Sequence, residues 1–158
     1  MPALHIEQVT AQGFAPFGQV LSPRSATKAR LDLKGELENL REDATPRVSL
    51  LSIAPKALPL NAMQMERHVF SSQTFVPLEC DAYLALVAPH TSDGGPDMAA
   101  AKAFHVPGNI GINYRANIWH HPFTVLHRRA RFLILTFVDG TSDDEQFVDL
   151  PEPMIISP

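Results

Sequence analysis

Short apolar runs bounded by proline, glycine or polar turns are the dominant pattern along this chain. A half-buried strand alternates apolar and polar residues, whereas a fully buried strand is a short continuous apolar run. Both patterns occur, and proline or glycine turns separate many of them. The segments that predict strands are His5–Val9, Gln19–Leu21, Val48–Ile53, Met63–Phe70, Gln73–Pro77, Tyr83–Ala88, Ala103–Val106, Gly111–Tyr114, Asn117–His120, Phe123–His127, Arg131–Val138 and Gln146–Leu150.

Helical periodicity is confined to three short segments. Thr10 can cap a single turn that ends at Ala15, before a proline and a glycine. Leucines at 33, 37 and 40 recur at helical spacing with charged residues between them, which predicts a short amphipathic helix. The segment Asp97–Lys102 predicts about one and a half helical turns.

Length and proline content narrow the fold class. The chain has 158 residues and 14 prolines, which interrupt helices and favour short strands. We expect one domain over residues 1–158, built as a mainly all-β antiparallel sandwich or barrel with a few short helices. Ser22–Arg30 predicts an exposed polar loop, and the proline-rich tail Pro151–Pro158 predicts an irregular arm.

Charge and cysteine content exclude several functional classes. A net charge of −4 and a pI near 5.9 provide no basic surface for nucleic acid or an anionic membrane. The single Cys80 cannot form an internal disulfide, so we expect a reducing cytoplasm. Acidic neighbours raise the pKa of such a thiol, which argues against a cysteine nucleophile. The first ten residues lack the pattern of a signal peptide.

The first candidate site lies on the segment that contains Glu66 and His68. Strand alternation places these two side chains on one face, with Arg67 on the other. Gln73 follows across a serine pair and can return to the same wall through a turn. A carboxylate, an imidazole and an amide could bind a polar ligand or a divalent cation. The alternative is that His68 is a hydrogen-bonded core histidine.

The second candidate site lies on the segment from Asn113 to Pro122. It contains Tyr114, Arg115, Trp119 and a pair of adjacent histidines, His120 and His121, between apolar runs. Neighbouring strand residues face opposite ways, so both histidines enter one cavity only if the chain bends, which Pro122 favours. The alternative is an aromatic core with incidental histidines.

Together these segments resemble the ureidoglycolate lyase family of cupin-type enzymes. The matching residues are Met65–His68, Ser72–Leu78, Gly111–Tyr114, Trp119–Pro122 and Phe14–Gly18, so the resemblance covers nearly the whole chain. One departure is Arg115, where family members often carry histidine. The resemblance implies a cupin barrel or jelly roll, paired as a homodimer, that splits ureidoglycolate into glyoxylate and urea during allantoin breakdown.

The resemblance also implies roles for individual residues. His68, Gln73 and His120 occupy positions similar to a degenerate cupin metal site, where nickel, manganese, zinc or iron could bind, or no metal at all. His120 or Glu66 would be the base, and Tyr114 a hydroxyl donor. Arg115 or Arg67 would bind the substrate carboxylate, with Asn113 and Trp119 as further substrate contacts.

Two other functions remain open at this stage. The chain could be a non-catalytic cupin module that binds a small carboxylate. It could also be a cupin enzyme that acts on a related hydroxy acid. Release of urea from ureidoglycolate would distinguish the lyase from both alternatives.

Overall fold

A computed structural model describes residues 3–22 and 30–158, and most of its elements are strands. One short helix, α1 (Ala11–Phe14), and a 3₁₀ turn at Met98–Ala100 accompany twelve strands. The strands are β1 (Leu4–Gln8), β2 (Gly18–Leu21), β3 (Thr45–Ile53), β4 (Leu60–His68), β5 (Gln73–Glu79), β6 (Ala82–Ala88), β7 (Lys102–Pro107), β8 (Gly111–Tyr114), β9 (Trp119–His120), β10 (Thr124–Leu126), β11 (Ala130–Val138) and β12 (Glu145–Ser157). The predicted mainly β fold with few short helices is confirmed.

The strands form two sheets. The larger sheet has the order β10-β6-β7-β1-β12-β4-β9, and β9 also pairs with β6, so this sheet closes on itself. The smaller sheet has the order β2-β8-β5-β11-β3. Among the described residues, all strand pairings are antiparallel except those of β1, which runs parallel to β7 and β12. The expected antiparallel arrangement is therefore confirmed apart from the two pairings of β1.

Strand β6 separates the two parts of the hydrophobic core. All seven of its residues are buried, which explains the continuous apolar run in the sequence. Tyr83, Ala85 and Val87 pack in the cluster that also contains core residues of the smaller sheet. Leu84 and Leu86 pack in a second cluster on the other face. The first cluster adjoins the polar residues of the candidate site.

The helical turn near the N-terminus forms as the sequence predicts. The side chain of Thr10 accepts a hydrogen bond from the backbone N–H of Gly13 at 3.0 Å. This cap stabilises the first turn of α1. Phe14 is fully buried and stacks edge-on against Phe104, so the turn anchors the chain to the core.

The predicted helix over residues 33–40 is wrong. Residues 34–36 form a turn, and the N–H of Leu40 donates to the carbonyl of Phe70. Ser72 likewise donates its N–H to the carbonyl of Glu38. Gly35 lowers the helical propensity, and these long-range hydrogen bonds satisfy the backbone in an extended path.

The tail prediction is also wrong, because β12 continues to Ser157. Met154, Ile155 and Ile156 pair with the first residues of β4. The ladder shifts register between Asp149 and Met154, the interval that contains Pro151 and Pro153. Prolines cannot donate to a ladder, so they are tolerated at such an irregularity.

Residues 23–29, most of the predicted loop Ser22–Arg30, lie outside the residues that the structure describes, so the loop prediction stays untested. Within the described ranges, no helix has the length and apolar character that crossing a bilayer requires.

Candidate active site

The alternation of β4 brings two functional side chains to the inner face of the larger sheet. Glu66 is the Cα partner of His120 on β9, so the two side chains lie side by side. His68, two residues further along β4, has its ring centroid 6.0 Å from that of His120, with an angle of 19° between the rings. One strand pairing thus brings together residues from both sequence segments.

Glu66 and His120 form the central contact. The Glu66 Oε1 atom lies 3.4 Å from the His120 Nε2 atom, without the alignment of a hydrogen bond. On the other side of the ring, His120 Nδ1 lies 2.9 Å from the carbonyl oxygen of Ile118. A carbonyl can only accept, so Nδ1 carries a hydrogen and Nε2 faces the carboxylate.

The electrostatics of Glu66 reflect its histidine neighbours. Burial, the largest single influence, raises the pKa of this carboxyl, but contact with His120 and the charges of His120, His68 and His121 lower it. The net result is a pKa below the ordinary value for glutamate. Glu66 is therefore a carboxylate at neutral pH.

His68 is held in a different environment. Burial, followed by the charge of His120, lowers its pKa, while Asp144 and Glu66 oppose that shift. Its Nδ1 atom lies 3.3 Å from Oδ2 of Asp144. His68 is therefore a neutral imidazole at neutral pH, with one ring nitrogen available as a proton acceptor.

Tyr114 and Gln73 complete this inner cluster from the smaller sheet. The Tyr114 ring stacks on the His120 ring with a centroid distance of 4.3 Å. Burial and the charge of Glu66 raise the pKa of the Tyr114 phenol, so it stays a neutral donor. Gln73 is the Cα partner of Tyr114, and its buried Oε1 atom has no hydrogen-bond partner among residues 3–22 and 30–158.

Four other predicted site residues lie away from the cluster. Arg67 and Trp119 occupy the opposite face, where the guanidinium carbon lies 4.3 Å from the indole centroid. Asn113 accepts from Thr74 on the other face of the smaller sheet. Arg115 donates to the carbonyl of Ala15 at 2.7 Å. The structure thus brings together five of the nine predicted site residues, namely Glu66, His68, Gln73, Tyr114 and His120.

The structure adds neighbours that sequence reasoning missed. Asp144 contacts His68 although 76 positions separate them. Phe147 is the Cα partner of Glu66 and is 54% exposed, so it borders the open side of the cluster. No local pattern marks either residue, because both approach β4 only through the β4–β12 pairing. His121 directly precedes the bend at Pro122, and its Nδ1 atom lies 3.3 Å from the hydroxyl of Thr124.

A pocket of about 320 Å³ opens beside His68. Arg41 and Arg47 line it together with Asp144 and Thr136, whereas Glu66 and His120 do not. Its volume is at the lower end of the range for small-molecule sites. The pocket therefore offers a small polar ligand a route to His68 that passes two arginines.

The cluster contains the donor types expected for a divalent cation but does not arrange them as a metal centre. No three His, Cys, Asp or Glu side chains converge as metal ligands within residues 3–22 and 30–158. The rings of His68 and His120 are stacked, whereas ligand lone pairs must point at one ion. The donors therefore do not fit a metal in this arrangement. Metal binding by His68, Gln73 and His120, which the resemblance implies, stays a prediction, and elemental analysis of the purified protein can check it.

Comparison with known proteins identifies a family. The family model described as ureidoglycolate lyase matches residues 1–157. A protein named ureidoglycolate lyase from Burkholderia mallei is 33% identical over 163 residues, covering 98% of this chain and 93% of the relative. One of that name from Brucella melitensis is 36% identical over 143 residues, covering 84% and 81%. One from Pseudomonas fluorescens is 30% identical over 167 residues, covering 100% and 99%.

A solved structure shows a weaker likeness. RmlC from Streptococcus suis, determined in complex with dTDP-D-xylose, has a TM-score of 0.39 and 10% sequence identity to this chain. The match covers 58% of this chain and 43% of that one.

Proposed function

The chain belongs to the ureidoglycolate lyase family and is a lyase, and we propose that it cleaves ureidoglycolate to glyoxylate and urea. The observation that carries this proposal is the family match over residues 1–157. The reaction breaks one carbon–nitrogen bond. It belongs to allantoin breakdown in purine catabolism, as the name of the family implies.

The substrate defines what the site must do. One carbon of ureidoglycolate bears a hydroxyl, a carboxylate and the ureido nitrogen. A base removes the hydroxyl proton, the carbon–oxygen double bond of glyoxylate forms, and the carbon–nitrogen bond breaks. An acid protonates the departing nitrogen to give urea. General acid and base catalysis of this kind contributes about 10²–10⁴-fold to a rate.

His68 and His120 suit these two tasks, and this assignment replaces the expectation from the resemblance that His120 or Glu66 is the base. His68 has a lowered pKa, which supports its role as the neutral base. A proton on His120 Nε2 would face the Glu66 carboxylate 3.4 Å away, which supports His120 as the acid. Glu66 then balances that positive charge, and the Tyr114 phenol donates a hydrogen bond to a substrate oxygen. No covalent nucleophile is required, and burial raises the pKa of the Cys80 thiol to about 11.

The pocket beside His68 supports a site for the substrate carboxylate. Arg47 lines it beside Arg41, whose guanidinium already pairs with Asp139 and Asp144, and the Arg47 guanidinium matches a carboxylate in charge and geometry. Holding the carboxylate there would orient the hydroxyl toward His68. Such positioning lowers the entropic part of the barrier.

The deciding experiment is a product assay with the purified chain. We expect urea and glyoxylate in equal amounts, with no ammonia. Ammonia in place of urea would indicate hydrolysis of the ureido group and contradict the lyase. Binding of ureidoglycolate without turnover would instead favour a non-catalytic carboxylate-binding module, and turnover of a related hydroxy acid alone would favour another cupin enzyme.

We also propose a homodimer that uses the outer face of the smaller sheet. Val48, Leu50, Val76 and Leu78 are 61%, 75%, 37% and 59% exposed on its strands. Leu133 pairs with both Leu50 and Val76, so the apolar patch extends over three strands. A second copy can cover such a patch through a self-complementary twofold contact.

A cytoplasmic location is the last part of the proposal. Cys80 is the single cysteine of the 158-residue chain, so the fold uses no internal disulfide. Such a protein requires no oxidising compartment. Fractionation of the producing cell would test this location.

A further inference from the structure

Asp144 contacts His68 from outside the cluster of catalytic candidates. Its Oδ2 atom lies 3.3 Å from His68 Nδ1, while its Oδ1 atom accepts the backbone N–H of Phe70 at 2.6 Å. The backbone carbonyl of Asp144 also accepts the N–H of Val69 at 2.8 Å. The Asp144 side chain is only 8% exposed. The carboxylate is thus fixed against the end of β4.

Arg41 secures the same carboxylate from the other side. Its guanidinium lies 3.6 Å from Oδ2 of Asp144 and 2.8 Å from Oδ2 of Asp139. It also donates to the hydroxyl of Ser71 and the carbonyl of Phe137. The Arg41 side chain, which is 12% exposed, offsets the charge of the Asp144 carboxylate and restricts its movement. The Asp144 oxygen that faces His68 therefore has a defined position.

We propose that Asp144 is a positioning residue that holds His68 in the tautomer with hydrogen on Nδ1 and the lone pair on Nε2. An ionised carboxylate is acceptor-only, so the ring nitrogen beside it must be the donor. The ring nitrogen that lies 3.3 Å from Asp144 Oδ2 is Nδ1, so in the neutral ring the hydrogen lies on Nδ1 and Nε2 is left as the proton acceptor. The kinetic part of this proposal rests on the proposed lyase function, whereas the tautomer does not.

The tautomer can be measured without substrate. Nitrogen chemical shifts of ¹⁵N-histidine-labelled protein distinguish the two tautomers of a neutral imidazole, and the His68 signals are assigned by their absence in His68→Gln. We expect the Nδ1–H form in the native protein. The Nε2–H form at His68 would overturn the proposal directly, even if no variant of Asp144 could be purified.

The Asp144→Asn variant tests whether the Asp144 carboxylate determines the tautomer of His68. Its amide oxygen can still accept from Phe70, while its NH₂ group would donate to His68 and favour the opposite tautomer. The corresponding change in serine proteases leaves the geometry intact and lowers kcat by about 10⁴. We expect the His68 signals to change to the Nε2–H form and kcat to fall by about 10-fold or more. KM should change much less than kcat.

Asp97→Asn is the matched control. Asp97 also accepts backbone N–H groups, from Ala99 and Ala100 at 3.1 and 3.3 Å, but within the described residues it forms no hydrogen bond or ion pair with a histidine. It should keep the native tautomer and kcat. An unchanged His68 tautomer in Asp144→Asn, or an equal loss of kcat in Asp144→Asn and Asp97→Asn, would refute the role of Asp144. If native protein releases no urea but the tautomer changes as expected, the proposed reaction fails and the positioning role stands.

Discussion

Glu66 Oε1 lies 3.4 Å from His120 Nε2 across the residue pair that joins β4 to β9. The imidazole is 3% exposed and the carboxylate 19%, so the contact lies largely out of water. The pairing of Glu66 with His120 belongs to the β-ladder and also forms the site, because paired residues on neighbouring strands place their side chains on the same face of the sheet. This relationship makes both residues primary targets for substitution.

Removal of the proposed acid should separate catalysis from stability. His120→Gln keeps a polar side chain of similar size but cannot donate a proton as an imidazolium does. We expect kcat for urea release to fall by about 10²–10⁴-fold, with a melting temperature close to that of the native protein. Calorimetry and steady-state kinetics provide the two measurements.

The control for this substitution is Ile112→Ala. Ile112 is fully buried in the core cluster next to the site. Its truncation should cost about 2–5 kcal/mol of unfolding free energy through a cavity while the folded fraction keeps its activity. If His120→Gln melted like Ile112→Ala and retained full specific activity, His120 would be a core residue and not the acid.

The pH dependence of catalysis should follow His68. Burial and the charge of His120 lower the pKa of His68 below 6.5, so the base form persists into mildly acidic solution. The acid limb of kcat/KM should therefore have its midpoint below pH 6.5. Glu66→Gln removes a charge that raises this pKa, so the His68 midpoint should move to still lower pH. NMR titration measures the His68 midpoint directly, and a midpoint at higher pH in Glu66→Gln would contradict the assignment of the acid limb to His68.

Stability should decrease on acidification because of His121. Burial, with the charge of Lys56, lowers its pKa to about 4, whereas an unfolded histidine titrates near 6.5. Between these values the unfolded state binds more protons, so the unfolding free energy rises with pH and falls as pH is lowered. The loss from pH 7 to pH 4 is roughly 3 kcal/mol from this group. Urea denaturation of native protein and His121→Gln at both pH values should show a smaller loss in the variant; equal losses would exclude His121 as the source.

Substrate affinity should depend on Arg47. It lines the pocket beside His68, so Arg47→Gln should raise KM about tenfold with little change in kcat. Arg131→Gln is the matched control, because Arg131 pairs with Glu79 on the sheet surface and does not line that pocket. A lower kcat at constant KM in Arg47→Gln would show that the substrate carboxylate does not bind at Arg47.

Dimer formation should depend on the apolar outer face of the smaller sheet. Light scattering should give about twice the chain mass of 17.4 kDa. Leu50→Glu places a charge on the patch and should shift the mass to that of one chain. Met63→Glu, on a side chain that is 53% exposed on β4, should leave the mass unchanged. A native mass of 17.4 kDa, or a dimer that tolerates Leu50→Glu, would exclude this interface.

The sequence determined those features that depend on local periodicity. Apolar runs and turn residues predicted most of the strands, and Thr10 predicted the cap of α1. The alternation of strand side chains separated Glu66 and His68 from Arg67, which the structure confirms at β4. These features need only the conformation of a few consecutive residues, so a local pattern contains enough information to predict them.

Tertiary structure alone decided which distant segments meet. The path of residues 33–40 beside Phe70, the pairing of Ile156 with Leu60 and the approach of Asp144 to His68 all depend on long-range hydrogen bonds. Such contacts form only when the packing of the whole chain offsets the entropy of closing large loops. A single sequence therefore marks His68 as a candidate, whereas the fold supplies the carboxylate that orients it.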